Sequence, residues 1–249
     1  MPQSSNDRSQ TGHHDEFGVT PNDTSEQVER DRRFTANIAH ELRTPLTAMV
    51  SATDVIRMRR AELSERVGVA FDVLDTQIHR LHQMVEDLLE LGRIDVRAAE
   101  LRMEPVHLPD VVAAVAREFG YGDVPVQVDG TPSPVSIDRR RFERILINLL
   151  DNARVHGGGA CRVALEFGRM DVSLAVEDAG RGIDETSREL IFERFARSRT
   201  SIHQSHGTGL GLAIVSEHAR AHGGTTRAEE RIGGGARVVV VIPFGQREA

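Results

Sequence analysis

Lysine is absent from this sequence. All 31 basic residues among its 249 positions are arginine. A phosphate-binding loop of the GxxxxGK[ST] type, the β3 lysine of the protein-kinase signature and a pyridoxal-phosphate Schiff base each require a lysine side chain. The sequence therefore excludes these three kinds of site. Any phosphate group that the protein handles must be held by backbone amides, by arginine, by side-chain amides or by a metal ion.

Cysteine and aromatic residues are also scarce. Cys161 is the single cysteine, so no disulfide can form within the chain, which favours a reducing compartment. Aromatic residues make up 4% of the chain, with no tryptophan, and the net charge is −7. Binding to DNA or RNA commonly uses base stacking on aromatic side chains and a basic surface. We therefore expect no direct nucleic-acid partner.

Long apolar runs are missing as well. No run approaches the roughly 20 residues that cross a bilayer. Residues 1–33 are polar, so no signal peptide opens the chain. Residues 1–25 have the composition of a disordered segment. We expect a cytoplasmic chain, either complete or part of a longer protein.

Heptad spacing marks residues 26–97 as a helical hairpin. Apolar residues recur in steps of four and three in its second half: Val67, Phe71, Leu74, Ile78, Leu81, Val85 and Leu88. The first half repeats these steps: Ile38, Leu42, Pro45, Met49, Ala52 and Ile56. The polar link 59–66 is short, so the two helices are predicted to run antiparallel. Because a hairpin this thin cannot bury both apolar stripes, we predict a homodimer built as a four-helix bundle.

Residues 98–249 show mixed helix and strand patterns. A long helix is predicted from Arg139 to His156, and the runs "ACRVALEFG" and "MDVSLAVED" predict an antiparallel pair of strands. Two further helices are predicted, one that starts at Pro109 and one that ends at Gly223. We predict an α+β two-layer sandwich, in which helices cover one face of a mixed sheet.

The stretch "FTANIAHELRTPLTAM" places a histidine on the polar face of the first helix. At about 100° per residue, His40 lies about 200° from Ile38 of the apolar stripe, and Thr44 follows one turn later. An exposed histidine beside a carboxylate such as Glu41 can attack phosphorus, because the carboxylate holds the proton on one ring nitrogen and leaves the other free. A solvated helix face is the ordinary alternative for such a pair.

Two later motifs carry groups suited to a nucleotide. "NLLDNARVH" places Asn148 and Asn152 one turn apart on a helix, where amide oxygens can bind Mg²⁺. "EDAGRGI" places Asp178 at a strand end beside glycines, where its carboxylate can accept from an amino group such as that of adenine. Each motif also has an ordinary alternative, namely helix amides with local hydrogen bonds and an Asp-Gly turn.

A third motif, "GTGLGLAIV", brings glycines to the start of a helix. Backbone amides at a helix start bind anions. The motif does not match GxGxxG, because Leu212 stands at the third glycine position and no strand precedes it, so a Rossmann site is a poor fit. The preceding stretch "FERFARSRTSIHQSH" is polar and basic and is predicted to form a mobile lid.

Taken in order, these stretches resemble the boxes of a bacterial two-component sensor histidine kinase. "FTANIAHELRTPLTAM" is similar to the H box, "NLLDNARVH" to the N box, "EDAGRGI" to the G1 box, "IFERFARS" to the F box and "GTGLGLAIV" to the G2 box. The resemblance covers residues 34–245. It implies a HisKA dimerisation and phosphoacceptor hairpin over residues 26–97, followed by a catalytic ATP-binding domain over residues 98–249 with the Bergerat fold of gyrase, Hsp90 and MutL.

The resemblance also implies what the protein works with. The expected cofactors are ATP and Mg²⁺. The expected partners are a second copy of the chain and the receiver domain of a response regulator, toward which the family often also has phosphatase activity. A sensor region outside this chain would anchor the full-length protein in the cell membrane.

Residue roles follow from the same resemblance. His40 is the implied phosphoacceptor, Glu41 its general base, and Thr44 the residue that orients water when the regulator is dephosphorylated. Asn152 is the implied Mg²⁺ ligand, with Asn148 close to it. Asp178 is the implied adenine-binding carboxylate, and Arg197 of the F box matches a basic position that can reach the phosphates. Thr208 and Leu210 are also implied to bind the nucleotide. Five glycines are implied to shape the pocket and lid: Gly180, Gly182, Gly207, Gly209 and Gly211.

The N box departs from the family pattern. Family members commonly have a lysine three residues after the second asparagine, and this chain has Val155 there. We hypothesise that Arg154 or Arg197 compensates for it. Asn148 stands where ATP-hydrolysing relatives have a glutamate base, which favours phosphoryl transfer to His40 over hydrolysis.

Two other functions are weighed against the histidine kinase. A Bergerat-fold ATPase or an anti-sigma type Ser/Thr kinase would lack the heptad hairpin with "HELRTP". A dimeric scaffold with a dead nucleotide site would not need Asn152, Asp178 and the three G2 glycines. The presence of both features favours the kinase.

Overall fold

A helical hairpin forms the first part of the molecule. The computed structural model describes residues 41–97, 101–196 and 208–244, so the predictions for residues 1–25, His40, Arg197 and Gly207 lie outside the described residues. Helix α1 covers 41–58, a short 3-10 helix covers Arg60–Glu62, and helix α2 covers Glu65–Arg97. The predicted link between the helices thus contains one extra turn of helix.

Apolar contacts and ion pairs hold the two helices of the hairpin together. Leu46 of α1 is buried against Val85 and Leu89 of α2. Nearby, Arg43 Nε donates to the carboxylate of Glu86 at 2.6 Å. At the other end of the hairpin, Arg57 near the end of α1 lies 2.8 Å from the carboxylate of Asp75 on α2. Arg60, in the link, lies 2.8 Å from the carboxylate of Asp72 on α2. These contacts fix the antiparallel register.

About half of the predicted α2 stripe, and all of the described part of the predicted α1 stripe, remain uncovered. In α2, Phe71 and Val85 are buried, while the residues at the alternate heptad positions are exposed: Val67, Leu74 and Leu81. In α1 the exposed stripe residues include three that are also spaced by seven: Leu42, Met49 and Ile56. Pro45 is exposed too. The apolar side chain that α1 buries against α2 is instead Leu46, which the predicted stripe did not include. The hairpin therefore presents an apolar surface, which we call the open seam, made of these six exposed residues of the two stripes.

An α+β sandwich follows the hairpin. Its strands are β1 Met103–Val106, β2 Val126–Asp129, β3 Val135–Asp138, β4 Ala160–Phe167, β5 Asp171–Asp178, β6 Thr225–Glu230 and β7 Ala236–Pro243. Its helices are α3 Leu108–Glu118, α4 Arg139–His156 and α5 Gly211–Ala221, with short 3-10 helices at Glu185–Ser187 and Leu190–Phe192. The main sheet has the order β2-β4-β5-β7-β6, in which β2 is parallel to β4 and the other pairs are antiparallel; β1 and β3 pair separately.

The three helices pack on one face of the main sheet. Helix α4 starts where the Asp138 carboxylate accepts from the Arg141 N–H at 3.2 Å, a typical N-cap. Its apolar side is fully buried against the sheet: Phe142, Ile145, Leu146, Leu149 and Leu150. The predicted two-layer sandwich, the bounds of α4 and the β4–β5 pair are confirmed. Strand β6 was not predicted, because its sequence "TTRAEE" is polar and lies at the edge of the sheet.

Candidate functional site

The two N-box asparagines lie on α4, and one of them faces the G2 box. The Asn148 amide donates to the Arg144 carbonyl at 2.9 Å. Its Oδ1 faces the start of α5, since a Cβ on Gly211 would lie 3.0 Å from that oxygen. Asn152 is half-buried, and its side chain makes no hydrogen bond with the part of the chain that the structure describes. Its amide oxygen is therefore available to a ligand.

Asp178 is buried at the end of β5, next to the end of α4. Its Oδ1 accepts from the backbone N–H groups of Gly180 at 2.8 Å and Ala236 at 3.0 Å. Its Oδ2 accepts no hydrogen bond within residues 41–97, 101–196 and 208–244. Gly157 follows α4 directly, and a Cβ there would lie 2.2 Å from Asp178 Cγ. The carboxylate is thus fixed through one oxygen and free at the other.

The G2 segment lies against the hairpin helix α2. The Thr208 hydroxyl donates to Asp87 of α2 at 2.8 Å and accepts from the Leu210 N–H at 3.2 Å. The Leu210 side chain is fully buried beside Leu91 of α2. Gly209 offers its carbonyl to the Phe195 N–H at 3.0 Å. The side chain of Leu210 is therefore a packing group, so only its backbone can take part in the predicted nucleotide site.

The described motifs meet along one helix. Helix α4 contacts the G2 box near its middle, through Asn148, and the G1 box at its end, through Gly157. Gly182 lies beside the turn that leads into β7, since a Cβ on it would lie 3.3 Å from the Gly235 carbonyl oxygen. Glu41 and Thr44 are exposed on α1 and belong to the hairpin. The structure thus brings the described residues of the N, G1 and G2 boxes together and leaves Glu41 and Thr44 of the H box on another element.

Comparison with known proteins separates the same two parts. Residues 30–97 match the His Kinase A (phospho-acceptor) domain, and residues 137–246 match the histidine kinase-, DNA gyrase B- and HSP90-like ATPase domain. The chain belongs to the sensor histidine kinases. It is 34% identical to the signal transduction histidine-protein kinase AfsQ2 of Streptomyces coelicolor over 89% of this chain and 43% of that protein. The kinase chain therefore spans less than half the length of this curated relative.

Solved histidine kinase structures have the same fold. The chain resembles full-length ShkA in complex with AMPPNP with a TM-score of 0.64 and 27% identity, over 87% of this chain and 47% of that one. It resembles the Acinetobacter baumannii histidine kinase AdeS with a TM-score of 0.58 and 28% identity, over 83% of this chain and 98% of that one. In the described part of the kinase, no helix is long and apolar enough to cross a membrane.

A polar cluster joins the hairpin of this kinase to its ATPase domain. Arg144 of α4 donates to Asp87 at 3.1 Å and to Glu90 at 2.7 Å. His218 of α5 donates through Nε2 to the other oxygen of Glu90 at 2.9 Å. We call these four residues and Thr208 the interdomain cluster. Sequence reasoning missed it, because nothing in the pattern relates α2 to residues more than 50 positions away.

The interdomain cluster shifts the acidities of its two carboxyl groups in opposite directions. Burial raises the pKa of Asp87 above its ordinary value of 3.8, and hydrogen bonds from Gln83 and Thr208 only partly offset this effect. Burial also acts on Glu90, but hydrogen bonding from His218 and the charge of Arg144 outweigh it and hold the pKa of Glu90 below 4.5. The cost of burying the charge is therefore better compensated at Glu90 than at Asp87.

The arginine next to Val155 is bound elsewhere. Arg154 donates to Asp151 at 2.9 Å and to the Tyr121 hydroxyl at 3.1 Å. It lies about 200° around the helix from Asn152. These contacts do not favour Arg154 as the substitute for the family's lysine. Arg197, the second candidate, lies outside the described residues.

Proposed function

We propose that this chain is a histidine kinase that transfers the γ-phosphoryl group of ATP to His40 and then to an aspartate of a response regulator. One observation carries the proposal: α4 joins a free amide oxygen on Asn152, a backbone-held carboxylate on Asp178 and the G2 helix start. Such an arrangement offers groups to the metal, the base and the phosphates of one nucleotide. The homology to AfsQ2, a signal transduction histidine-protein kinase, supports it.

In this proposal, the two ends of the nucleotide meet different groups. Asp178 accepts a hydrogen bond from the adenine amino group through Oδ2. Asn152 would hold Mg²⁺ through its free amide oxygen, since Mg²⁺ prefers oxygen ligands. When bound, Mg²⁺ neutralises charge that develops on the transferred phosphoryl group. The backbone amides of Gly209 and Gly211 lie at the start of α5, where an anion is favoured, whereas the Leu210 N–H is already bonded to Thr208.

The exposed face of α1 would supply the acceptor. His40 is the nucleophile, and Glu41 holds its ring proton so that the free nitrogen can attack. Thr44 would orient water for dephosphorylation of the regulator. Glu41 and Thr44 are both exposed, as a receiver domain or a visiting ATP domain requires. Phosphoryl transfer of this kind relies on positioning and charge neutralisation more than on covalent chemistry by the protein.

The open seam supports a homodimer. Six apolar side chains at heptad spacing are left uncovered on one hairpin, and a second hairpin would cover them in a four-helix bundle. We accordingly propose a dimerisation hairpin over residues 26–97 and a catalytic domain over residues 98–249. The cytoplasmic location and the membrane tether remain predictions of the family resemblance.

The test is phosphorylation from γ-labelled Mg-ATP. We expect the wild-type chain to acquire acid-labile, base-stable label and His40→Gln to acquire none while it still binds ATP. His82→Gln, on the same hairpin, serves as the control and should label normally. Label that survives in His40→Gln, or that is acid-stable, would contradict the proposal and favour a Ser/Thr kinase. Failure of the wild-type chain to bind Mg-ATP would favour the scaffold.

A further inference from the structure

Strand β5 ends in two acids, and the nucleotide site uses only the second. Val176 packs in the main core, and side chains alternate across a strand, so Glu177 points to the sheet face that carries no helix. Glu177 is nevertheless only 3% exposed. A buried carboxylate is costly unless cations and hydrogen bonds compensate it. Its surroundings therefore indicate what it holds.

Three arginines surround Glu177. Arg162, directly opposite on β4, donates to both carboxylate oxygens at 2.7 and 2.9 Å. Arg237, directly opposite on β7, has Nε at 3.4 Å from Oε1. Arg231 follows β6, and its Nε lies 3.5 Å from Oε2. Two of the three arginines thus come from the two ends of one tight turn.

That turn reaches the adenine side of β5. We call residues 231–237 the glycine turn. The Arg231 N–H donates to the Gly235 carbonyl at 3.0 Å, and the Arg231 side chain donates to the Gly234 carbonyl at 3.0 Å. From the same turn, the Ala236 N–H donates to Oδ1 of Asp178 at 3.0 Å. The glycine turn therefore binds Glu177 on one face of β5 and Asp178 on the other.

Close packing ties the glycine turn to the backbone of Asp178. Gly235 has φ +103°, and a Cβ there would lie 2.0 Å from the Asp178 carbonyl oxygen. Neighbouring Gly234 has φ +96°, with no atom within 4 Å of such a Cβ. The two glycines have the same backbone requirement, but only Gly235 touches Asp178.

We infer that Glu177 is a positioning residue for the nucleotide site: through Arg231 and Arg237 it holds the glycine turn, which orients the Asp178 carboxylate toward the base. The inference rests on the proposed function, since it takes Asp178 as the adenine acceptor. Glu177 touches no reacting atom. Its loss should therefore weaken nucleotide binding and leave the rate at saturating ATP intact.

The first test compares Glu177→Gln with Glu166→Gln in the full chain. Glu166 lies on the same sheet face and binds Arg237 at 2.7 Å, but it is half-exposed and bonds to neither Arg231 nor Asp178. We expect Glu177→Gln to raise the Kd and KM for Mg-ATP about tenfold, because the neutral amide loses the charge that pairs with Arg231 and Arg237. The kcat should be retained, and Glu166→Gln should change the Kd less than twofold. A Kd within twofold of wild type in Glu177→Gln overturns the inference.

The second test covers the case in which Glu177→Gln does not fold. Gly235→Ala and Gly234→Ala each place an alanine at positive φ and so carry the same backbone strain. Their unfolding midpoints, measured without nucleotide, serve as the reference for the stability of the two variants. We expect Gly235→Ala to bind Mg-ATP at least tenfold more weakly than Gly234→Ala. Equal affinities overturn the inference. A wild-type chain that binds no Mg-ATP would instead refute the proposed function, so the two failures are distinguishable.

Discussion

The hairpin and the sandwich differ in how each covers its apolar side chains. The sandwich closes its own core: α4 and the sheet bury Phe142, Ile145 and Leu165 completely. Among the described residues of the hairpin, Leu91 is the large side chain that is fully buried. It is covered by Leu210 and Ile214 of the ATPase domain. The sandwich is therefore self-sufficient, whereas the hairpin depends on other surfaces.

This difference agrees with the proposed function, in which the hairpin meets an ATP domain and a receiver domain in turn. Helix α2 meets α1 on one side and the ATPase domain on another, and it leaves Val67, Leu74 and Leu81 open on a third. Marginal packing allows a helix to change its neighbours at low cost, whereas a closed core resists rearrangement. Substitutions in the two regions should therefore differ in the size of their effects.

The largest effect is expected in the sandwich core. Phe142→Ala should destabilise the ATPase domain by about 3–5 kcal/mol, because it removes a fully buried ring and leaves a cavity. Phe119→Ala is the matched control, since Phe119 of the same domain is half-exposed. Chemical denaturation followed by circular dichroism measures both. Unfolding of both variants at the same denaturant concentration would contradict the prediction that the sandwich closes its own core.

The open seam should give the next largest effect. Leu74 is 54% exposed on a single hairpin. If a second hairpin covers it, Leu74→Glu places a charge in the interface twice, once from each copy, and should weaken the dimer about a hundredfold or more. Analytical ultracentrifugation over a concentration series measures the change. Thr76→Glu, two residues on and exposed, is the control; equal dissociation of the two variants would refute the seam.

The interdomain cluster should contribute less. Arg144→Ala removes the cation between Asp87 and Glu90, and the Asp87 side chain is only 4% exposed. We expect a loss of about 1–3 kcal/mol in protection of residues 84–91, measured by hydrogen exchange. Arg139→Ala, whose partner Glu143 lies on the same helix, should leave the protection of residues 84–91 unchanged. Equal protection in both variants would mean that the cluster does not hold the domains together.

The sequence predicted best those elements whose signals are local. Helix α4 has an aspartate N-cap and an apolar stripe, so both of its ends were found. The open seam also follows from heptad spacing, although spacing alone does not say which alternate positions α1 covers. Contacts between distant segments were out of reach: Arg144 meets Asp87 57 residues away. The Glu177 cluster was equally hidden, because it depends on the register of four strands.

The smallest effect concerns a buried histidine in the sandwich. His222 donates through Nδ1 to the His218 carbonyl at 2.8 Å, and its Nε2 accepts from the Asp138 N–H at 3.2 Å. The second bond requires the neutral ring, because a protonated Nε2 cannot accept. Burial lowers the pKa of His222 below its ordinary value of 6.5, with the charge of Arg141 acting in the same direction and the His218 carbonyl and Asp138 opposing it.

The sign of the resulting pH dependence follows from that lowered pKa. The unfolded chain binds the proton first as the pH falls, so the stability that neutral His222 contributes is complete above 6.5 and is lost on acidification through the folded-state value. Below pH 6.5, the wild-type sandwich should lose at most about 1.4 kcal/mol per pH unit from this group. His222→Gln should flatten that slope, and His107→Gln, with its half-exposed side chain, should not. Parallel slopes for wild type and His222→Gln in denaturation at pH 5.5 and 7.5 would show that the ring is not held neutral by the fold.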